Sequence, residues 1–169
     1  VTELLRIDLE QSPVITLMTP AQINTMLSLM ELRADAVIDE PTAMAIAERD
    51  GLKAVISGDV RAVGNGYVIS GRIVGVDGEA LVSVRETAKS ADDIVVSVDR
   101  LSAKLREQIG ESLRSIRADP PLTKVTTNSM EALRKYSRGV EARDQGNFPL
   151  ALQLYQEAVE LDTTFAMAW

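Results

Sequence analysis

The sequence predicts an α/β fold of the α+β kind. A mixed four-stranded sheet holds a three-stranded antiparallel meander, helices pack on it, and a C-terminal helical hairpin follows. Three observations carry this prediction. Residues 54–88 contain the β-runs AVISGDVRAV, YVISGRIVGV and LVSVRETA, separated by GNG and DGEA. Asn-Gly and Asp-Gly are strong hairpin signals, because a type I′ turn needs positive φ at both central positions. Val14 to Met18 (VITLM) is a continuous apolar run, the pattern of a strand buried on both faces. From Ile94 to Ile116, and again from Ala132, apolar residues recur at spacings of three and four, which marks amphipathic helices.

In chain order, Thr2 to Gln11 reads as a helix with Leu5 and Leu9 on one face, stopped by Ser12-Pro13. After the predicted strand, Thr19 is an N-cap, Pro20 stands at N1, and Gln22 at N3 completes a capping box. Ile23, Met26, Leu27 and Met30 form that helix's buried stripe. Residues 31–40 are irregular. Pro41 opens a further helix capped by Asp39 or Glu40, and Gly51 ends it as an αL residue.

A two-residue loop at Asn65-Gly66 sets the register of the first hairpin. It pairs Gly64 with Tyr67, Val60 with Gly71, and Asp59 with Arg72. One face then carries Ala54, Ile56, Gly58, Val60 and Ala62 opposite Asp77, Gly75, Ile73, Gly71 and Ile69. Apart from Asp77 it is apolar or glycine. The other face carries Ser57, Asp59, Arg61, Ser70 and Arg72 and meets water, with Asp59–Arg72 as a cross-strand surface pair. Gly58, Gly71 and Gly75 are expected to admit a helix close to the sheet. Asp77-Gly78 fits either a two-residue turn or a bulged one.

Ser90 to Asp93 starts the next helix, with Asp92 and Asp93 on the positive end of its dipole. Ile94, Val98, Leu101, Leu105, Ile109, Leu113 and Ile116 carry it to about Arg117. Ala118-Asp119-Pro120-Pro121 breaks it, and Leu122 to Thr127 is expected to be extended. The division is residues 1–119 as an α/β domain, 120–127 as a linker and 128–169 as the helical hairpin, capped by Asn128 or Ser129.

Composition narrows the function. Hydrophobic residues are 46% and aromatic residues 4%, so the core is aliphatic. A net charge of −7 and a pI near 4.7 argue against nucleic acid as a partner. There is no cysteine and no histidine, which removes thiol nucleophiles, disulfides, imidazole proton transfer and the usual zinc ligands. No metal and no cofactor is expected. No apolar run reaches the length of a membrane span, so membrane insertion of this stretch is not expected. The chain opens and closes in mid-pattern, as a piece cut from a longer protein would.

From Ala132 the sequence resembles a tetratricopeptide repeat, a helix–turn–helix unit. Gly139 falls at the repeat's eighth position, where its helices approach closely. Ala151, Tyr155 and Ala158 fall at its interlocking positions, and Gly146-Asn147-Phe148 supplies the turn. Ala166 begins the next repeat, with Trp169 at that repeat's tryptophan position. Lys135 stands where tryptophan is usual and Thr163 where proline is usual; the first departure fits a capping repeat. The resemblance implies packing roles for Gly139, Ala151, Tyr155, Ala158 and Trp169. It also implies a concave surface bearing Tyr136, Val140, Arg143 and Asp144 as candidate partner-binding residues. The apolar face from Tyr155 to Leu161 lacks a following repeat, so a second copy of the chain is expected there as a homodimer.

The stretches SPVITLMTPAQI, AIAERDGLKAVISGDV, GYVISGRIV and LREQIGESLRSI, followed by LTKVTTNSMEALRKYSRGVEA, resemble the TolB-like α/β segment. That segment is similar to the amino-terminal domain of TolB. It precedes tetratricopeptide repeats in bacterial signalling proteins such as membrane-bound serine/threonine kinases and CadC-like or cyclase-type regulators. The resemblance implies a non-catalytic sensory or protein-interaction module. It also implies a place on the extracytoplasmic (periplasmic) side of a membrane-anchored parent, with the cytoplasm as the alternative. A structural assembly factor of the cell envelope is the alternative.

An enzyme is not expected. No glycine-rich phosphate loop, HRD or DFG is present. Gly64-Asn65-Gly66 lies between antiparallel strands and does not open a helix, so it reads as a turn. Asp92 and Asp93 are explained as helix-start charges. Asp35 and Asp39 lie in a loop where no basic or nucleophilic partner is expected for acid–base work.

Overall fold

The computed structural model describes residues 1–33 and 36–169. Asp35 therefore lies outside the described residues. The first helix, α1 (Thr2–Leu9), buries Leu4, Ile7 and Leu9. Helix α2 (Pro20–Leu29) begins with the expected capping box. The Gln22 N–H donates to Thr19 Oγ1 at 3.3 Å, and the Thr19 N–H donates to Gln22 Oε1 at 2.9 Å. Helix α3 (Glu40–Asp50) takes Asp39 as its cap, with the Thr42 N–H donating to Asp39 Oδ1 at 2.9 Å. It ends on Gly51 at φ +70°, the left-handed conformation expected there.

The three β-runs form an antiparallel sheet in the order β1 (Ala54–Val63), β2 (Gly66–Gly75), β3 (Ala80–Ala88). The first hairpin differs from its predicted register by two residues. Ala62 pairs with Tyr67, Val60 with Ile69 and Ser57 with Arg72. The central turn pair is Gly64-Asn65, with Gly64 at φ +59°, which matches the glycine-first requirement of a II′ hairpin. A shift of two preserves face parity, so the predicted apolar face survives intact. The predicted Asp59–Arg72 pair does not. Asp59 sits opposite Ser70 and pairs with Arg61 at 2.8 Å, while Arg72 reaches Glu40 of α3 at 2.9 Å. The second hairpin is the bulged alternative, with its irregularity at Ile73/Val74 and Gly78 at φ +83°.

Among the described residues a fourth strand is not present. Val14 to Met18 runs past the sheet without pairing, and Val14 is 58% exposed. Its ends are committed to side chains: the Val14 N–H donates to Ser12 Oγ, and the Met18 carbonyl accepts from Arg6 Nη1 at 3.1 Å. These bonds occupy one donor and one acceptor at the two ends of the run.

Helix α4 (Ile94–Gln108) covers one face of the sheet. At Gly71 of β2, a Cβ would meet Leu101 Cδ2 at 3.1 Å and Leu105 Cδ1 at 3.2 Å, so this glycine admits the helix as expected. Gly58 and Gly75 do not serve that purpose. A Cβ at Gly58 would strike the Ser70 carbonyl at 2.8 Å, and one at Gly75 would strike Asp77 Oδ1 at 2.6 Å. Asp93 precedes α4 and turns backward, accepting from both the N–H and the hydroxyl of Ser90 at 3.1 Å.

The long helix predicted to reach Arg117 breaks at Gly110, which adopts φ +94°. Ser112 then caps a separate short helix, α5 (Leu113–Ala118), accepting from the Ser115 N–H at 3.1 Å. The expected extended linker is also partly helical. Leu122–Val125 form α6, and Leu122 is 0% exposed. Helix α7 (Met130–Asp144), capped by Ser129, and helix α8 (Phe148–Leu161), capped by Asn147, pack as a helical hairpin around Gly146 at φ +77°. A short 3₁₀ turn at Ala166–Ala168 follows. One continuous cluster joins Leu4 of α1, Ile69 of β2, Val98 of α4, Leu122 of α6, Tyr136 of α7 and Phe165. Residues on both sides of the predicted linker thus share a core. Among the described residues no helix is long and apolar enough to cross a membrane.

Candidate functional site

Helix α7 places Tyr136, Val140 and Arg143 on one face, because residues three and four apart are neighbours on a helix. Asp144 follows at its end. Tyr136 and Val140 on this face are buried, while Arg143 is exposed. The face turns toward α1 and the start of α2, and a cleft of about 600 Å³ lies between them. Tyr136, Val140, Arg143 and Asp144 all line the α7 wall, and Glu3, Arg6 and Glu10 line the α1 wall.

Depth divides the residues. Tyr136 is only 7% exposed and forms the floor with Val140. Its ring lies 5.5 Å from that of Tyr155 and 4.9 Å from that of Phe165, centroid to centroid, in tilted arrangements that favour aromatic pairs. Burial pushes the Tyr136 phenol up to about 12, with the nearby Glu3 carboxylate adding to it, so the group stays protonated at neutral pH. Arg143 and Asp144 stand at the rim, joined by Nε and Nη2 donating to Asp144 Oδ1 at 3.0 and 2.9 Å. That bond holds the guanidinium pKa above its ordinary value. Asn24 Nδ2 donates to the Asp144 carbonyl at 3.5 Å and ties α2 to the end of α7.

The cleft is acidic on balance. Carboxylates of Glu3, Glu10, Glu141 and Asp144 line it against the guanidiniums of Arg6 and Arg143. Burial raises the Glu3 pKa, and Arg6 pulls it back. Arg6 ion-pairs with Glu10 at 3.8 Å on the next turn of α1. An aromatic floor with a charged rim suits an extended polypeptide carrying basic side chains. Among the described residues no group of three His, Cys, Asp or Glu is arranged to hold a metal.

The residues with predicted packing roles lie as follows. A Cβ at Gly139 would come within 2.5 Å of Tyr155 Cε1, so α8 approaches α7 at this glycine. Ala151 and Ala158 are buried. Lys135 bridges to Glu157 across the two helices. Trp169 does not pack: it is 83% exposed, and its indole N–H donates to the Thr163 carbonyl at 3.3 Å. The buried aromatic of this segment is Phe165.

The strongest electrostatic feature escaped the sequence reading. Arg106, with 2% of its side chain exposed, points into the core. It bonds Glu111 through Nε at 2.9 Å and Nη2 at 2.6 Å, and it also meets Asp8 at 3.4 Å and Asp119. Ser12 donates to Glu111 and Ser102 to Asp8. The Arg106 bonds hold the Glu111 carboxyl down at about 2 and raise the guanidinium further. Asp8 is shifted the other way by burial, against the bond from Ser102. The network fastens α1, α4 and the segment after Gly110 together, and the α1 wall of the cleft rests on it. A sequence signal existed: Ser102 and Arg106 sit one turn apart on a helix whose neighbouring positions are apolar.

No protein-family model, no curated protein and no solved structure matches the chain.

Proposed function

We propose that this chain is a non-catalytic protein-interaction module of a bacterial signalling protein, and that the cleft between α1 and α7 takes an extended, basic segment of a protein partner. The supporting observation is the convergence of Tyr136, Val140, Arg143 and Asp144 with the α1 carboxylates on one cleft. The α7–α8 hairpin, read as a tetratricopeptide repeat, supplies one wall; the α/β domain, read as TolB-like, supplies the other. The extracytoplasmic placement beside a membrane-anchored kinase or regulator rests on the resemblance alone. A binding event that moved α1 against α7 would strain the shared core and the Arg106 network, which gives a route for a signal. The break at Gly110 removes the continuous Asp92–Arg117 helix as that route.

The exposed second half of β1, an edge strand of the sheet, favours a second reading, an envelope scaffold that recruits a strand of another protein by edge pairing. Amide chemical-shift mapping with a Lys/Arg-rich peptide pool separates the two. Shifts at Glu10, Glu141 and Asp144 support the cleft; shifts confined to β1 favour the scaffold; no shift at either place at millimolar peptide ends the proposal.

A further inference from the structure

A second cavity, about 670 Å³, lies between the outer edge of β1, the Val14–Met18 run and helix α3. Its size falls within the range of small-molecule sites, about 300–1,000 Å³. Ile15, Leu17, Ile46, Val55, Ile56 and Ile73 give it aliphatic walls. Among the described residues, the charged ones that line it are Arg6 and Lys53. Both are cations, in a chain whose net charge is −7. No carboxylate among the described residues lines it.

The two cations are not equivalent. Arg6 is engaged, donating to the Met18 carbonyl at 3.1 Å and pairing with Glu10 at 3.8 Å. Lys53 is exposed, sits where the chain passes from α3 to β1, and has no ion-pair partner among the described residues. An ammonium at the rim of an aliphatic cavity complements a ligand with an apolar tail and one negative head. The tail gains by leaving water, and the head stays solvated beside Lys53.

We propose that this cavity binds an aliphatic carboxylate of medium chain length, with its chain against Ile46, Val55 and Ile56 and its head group at Lys53. The site adjoins the peptide cleft, since Arg6 and Ile23 line both, but Lys53 and Ala43 line this cavity and not the cleft, so its test is distinct. The unpaired Val14–Met18 run forms one wall, so ligand binding fixes a segment that no sheet ladder holds.

Calorimetric titration of the whole chain with decanoate, below its micelle concentration, tests this, with decyltrimethylammonium as the matched cation. Saturable decanoate binding with much weaker binding of the cation is expected. Lys53→Glu, at an exposed position, lowers decanoate affinity by about fivefold, the upper range for an exposed ion pair, and strengthens binding of the cation. Ala43→Phe, which fills the cavity from α3, abolishes decanoate binding. If Ala43→Phe does not fold, methyl nuclear Overhauser contacts from decanoate to Ile46 and Ile56 in the unmodified chain replace it. Absence of saturable decanoate binding, equal affinity for anion and cation, or contacts confined to other methyls overturns the proposal.

Discussion

Arg106 Nη2 and Glu111 Oε1 lie 2.6 Å apart inside the protein, across the point where one predicted helix becomes two. The bond explains the break. Gly110 takes a left-handed φ, and the turn it makes carries Glu111 back to a guanidinium that would otherwise be buried with fewer acceptors. Removing one partner of such a buried pair leaves the other without compensation. Arg106→Leu is therefore expected to destabilise the fold by about 3–5 kcal/mol. Arg106→Lys is expected to lose less, because it keeps the charge but not the fork. Urea unfolding followed by circular dichroism measures both.

The same network sets two opposed pH dependences. The folded Glu111 carboxyl titrates at about 2, below its ordinary 4.5. Its stabilisation is present above the ordinary value and is lost as pH falls through about 2. Glu111→Gln should flatten the acid limb of the stability curve. Asp8 is raised above its ordinary 3.8 by burial. Its contribution is present below that value and is lost as pH rises through the raised one, so Asp8→Asn should remove that decline. Unfolding midpoints in denaturant at a series of pH values check both signs; a Glu111→Gln curve with the parent's acid limb would refute the assignment.

Gly139 and Tyr155 bring α7 and α8 together. A methyl at Gly139 would lie 2.5 Å from the ring, too close without movement of the helix or the tyrosine. Gly139→Ala is expected to cost about 1–3 kcal/mol despite the better helix propensity of alanine. Adding Tyr155→Leu should recover part of that loss, and a double-mutant cycle in thermal unfolding reads the coupling.

Gly71 meets the ends of Leu101 and Leu105, which are flexible enough to move a few tenths of an ångström for one carbon. Gly71→Ala should therefore be nearly neutral, whereas Gly71→Val should lower stability by about 1–3 kcal/mol through overpacking. Near-equal melting temperatures for the two variants would show that α4 is not seated on this glycine.

Trp169 reports on self-association. Its indole is 83% exposed and follows α8, whose last residue, Leu161, is 42% exposed. In the monomer its fluorescence should be that of a water-exposed indole, readily quenched by iodide. If a second copy covers this face, emission should shift to the blue and quenching should fall as concentration rises. Emission independent of concentration, with a monomer mass by light scattering, removes the homodimer.

Charge reversal tests the cleft. Glu10→Lys with Glu141→Lys should abolish binding of a basic peptide while leaving the melting temperature close to the parent's, since these side chains lie at the rim. The parent's own affinity should fall with added salt. Salt-independent binding would place the peptide elsewhere.

Local chemistry was legible in the sequence. The Thr19–Gln22 box, the Asp39 cap, the Gly51 terminus and the Ser129 cap join groups within a few residues, so their geometry needs nothing distant. The apolar face of the meander was legible for a related reason: side-chain parity survives an error of two in register, and Gly64-Asn65 overlaps Asn65-Gly66 as a turn candidate. The site was half legible. Helical spacing put Tyr136, Val140 and Arg143 on one face, but nothing local said that α1 would stand opposite.

By itself, then, the sequence determined the meander, the caps, the helical hairpin and the aliphatic character of the core, because each follows from periodicity or from bonds a few residues long. Tertiary structure alone decided that Val14–Met18 stays off the sheet, that the helix breaks at Gly110, and that Arg106 finds a carboxylate 98 residues away in Asp8. The physical reason is common to all three. A backbone donor or a buried charge takes whichever acceptor the folded chain brings within reach, and which acceptors those are depends on distant segments.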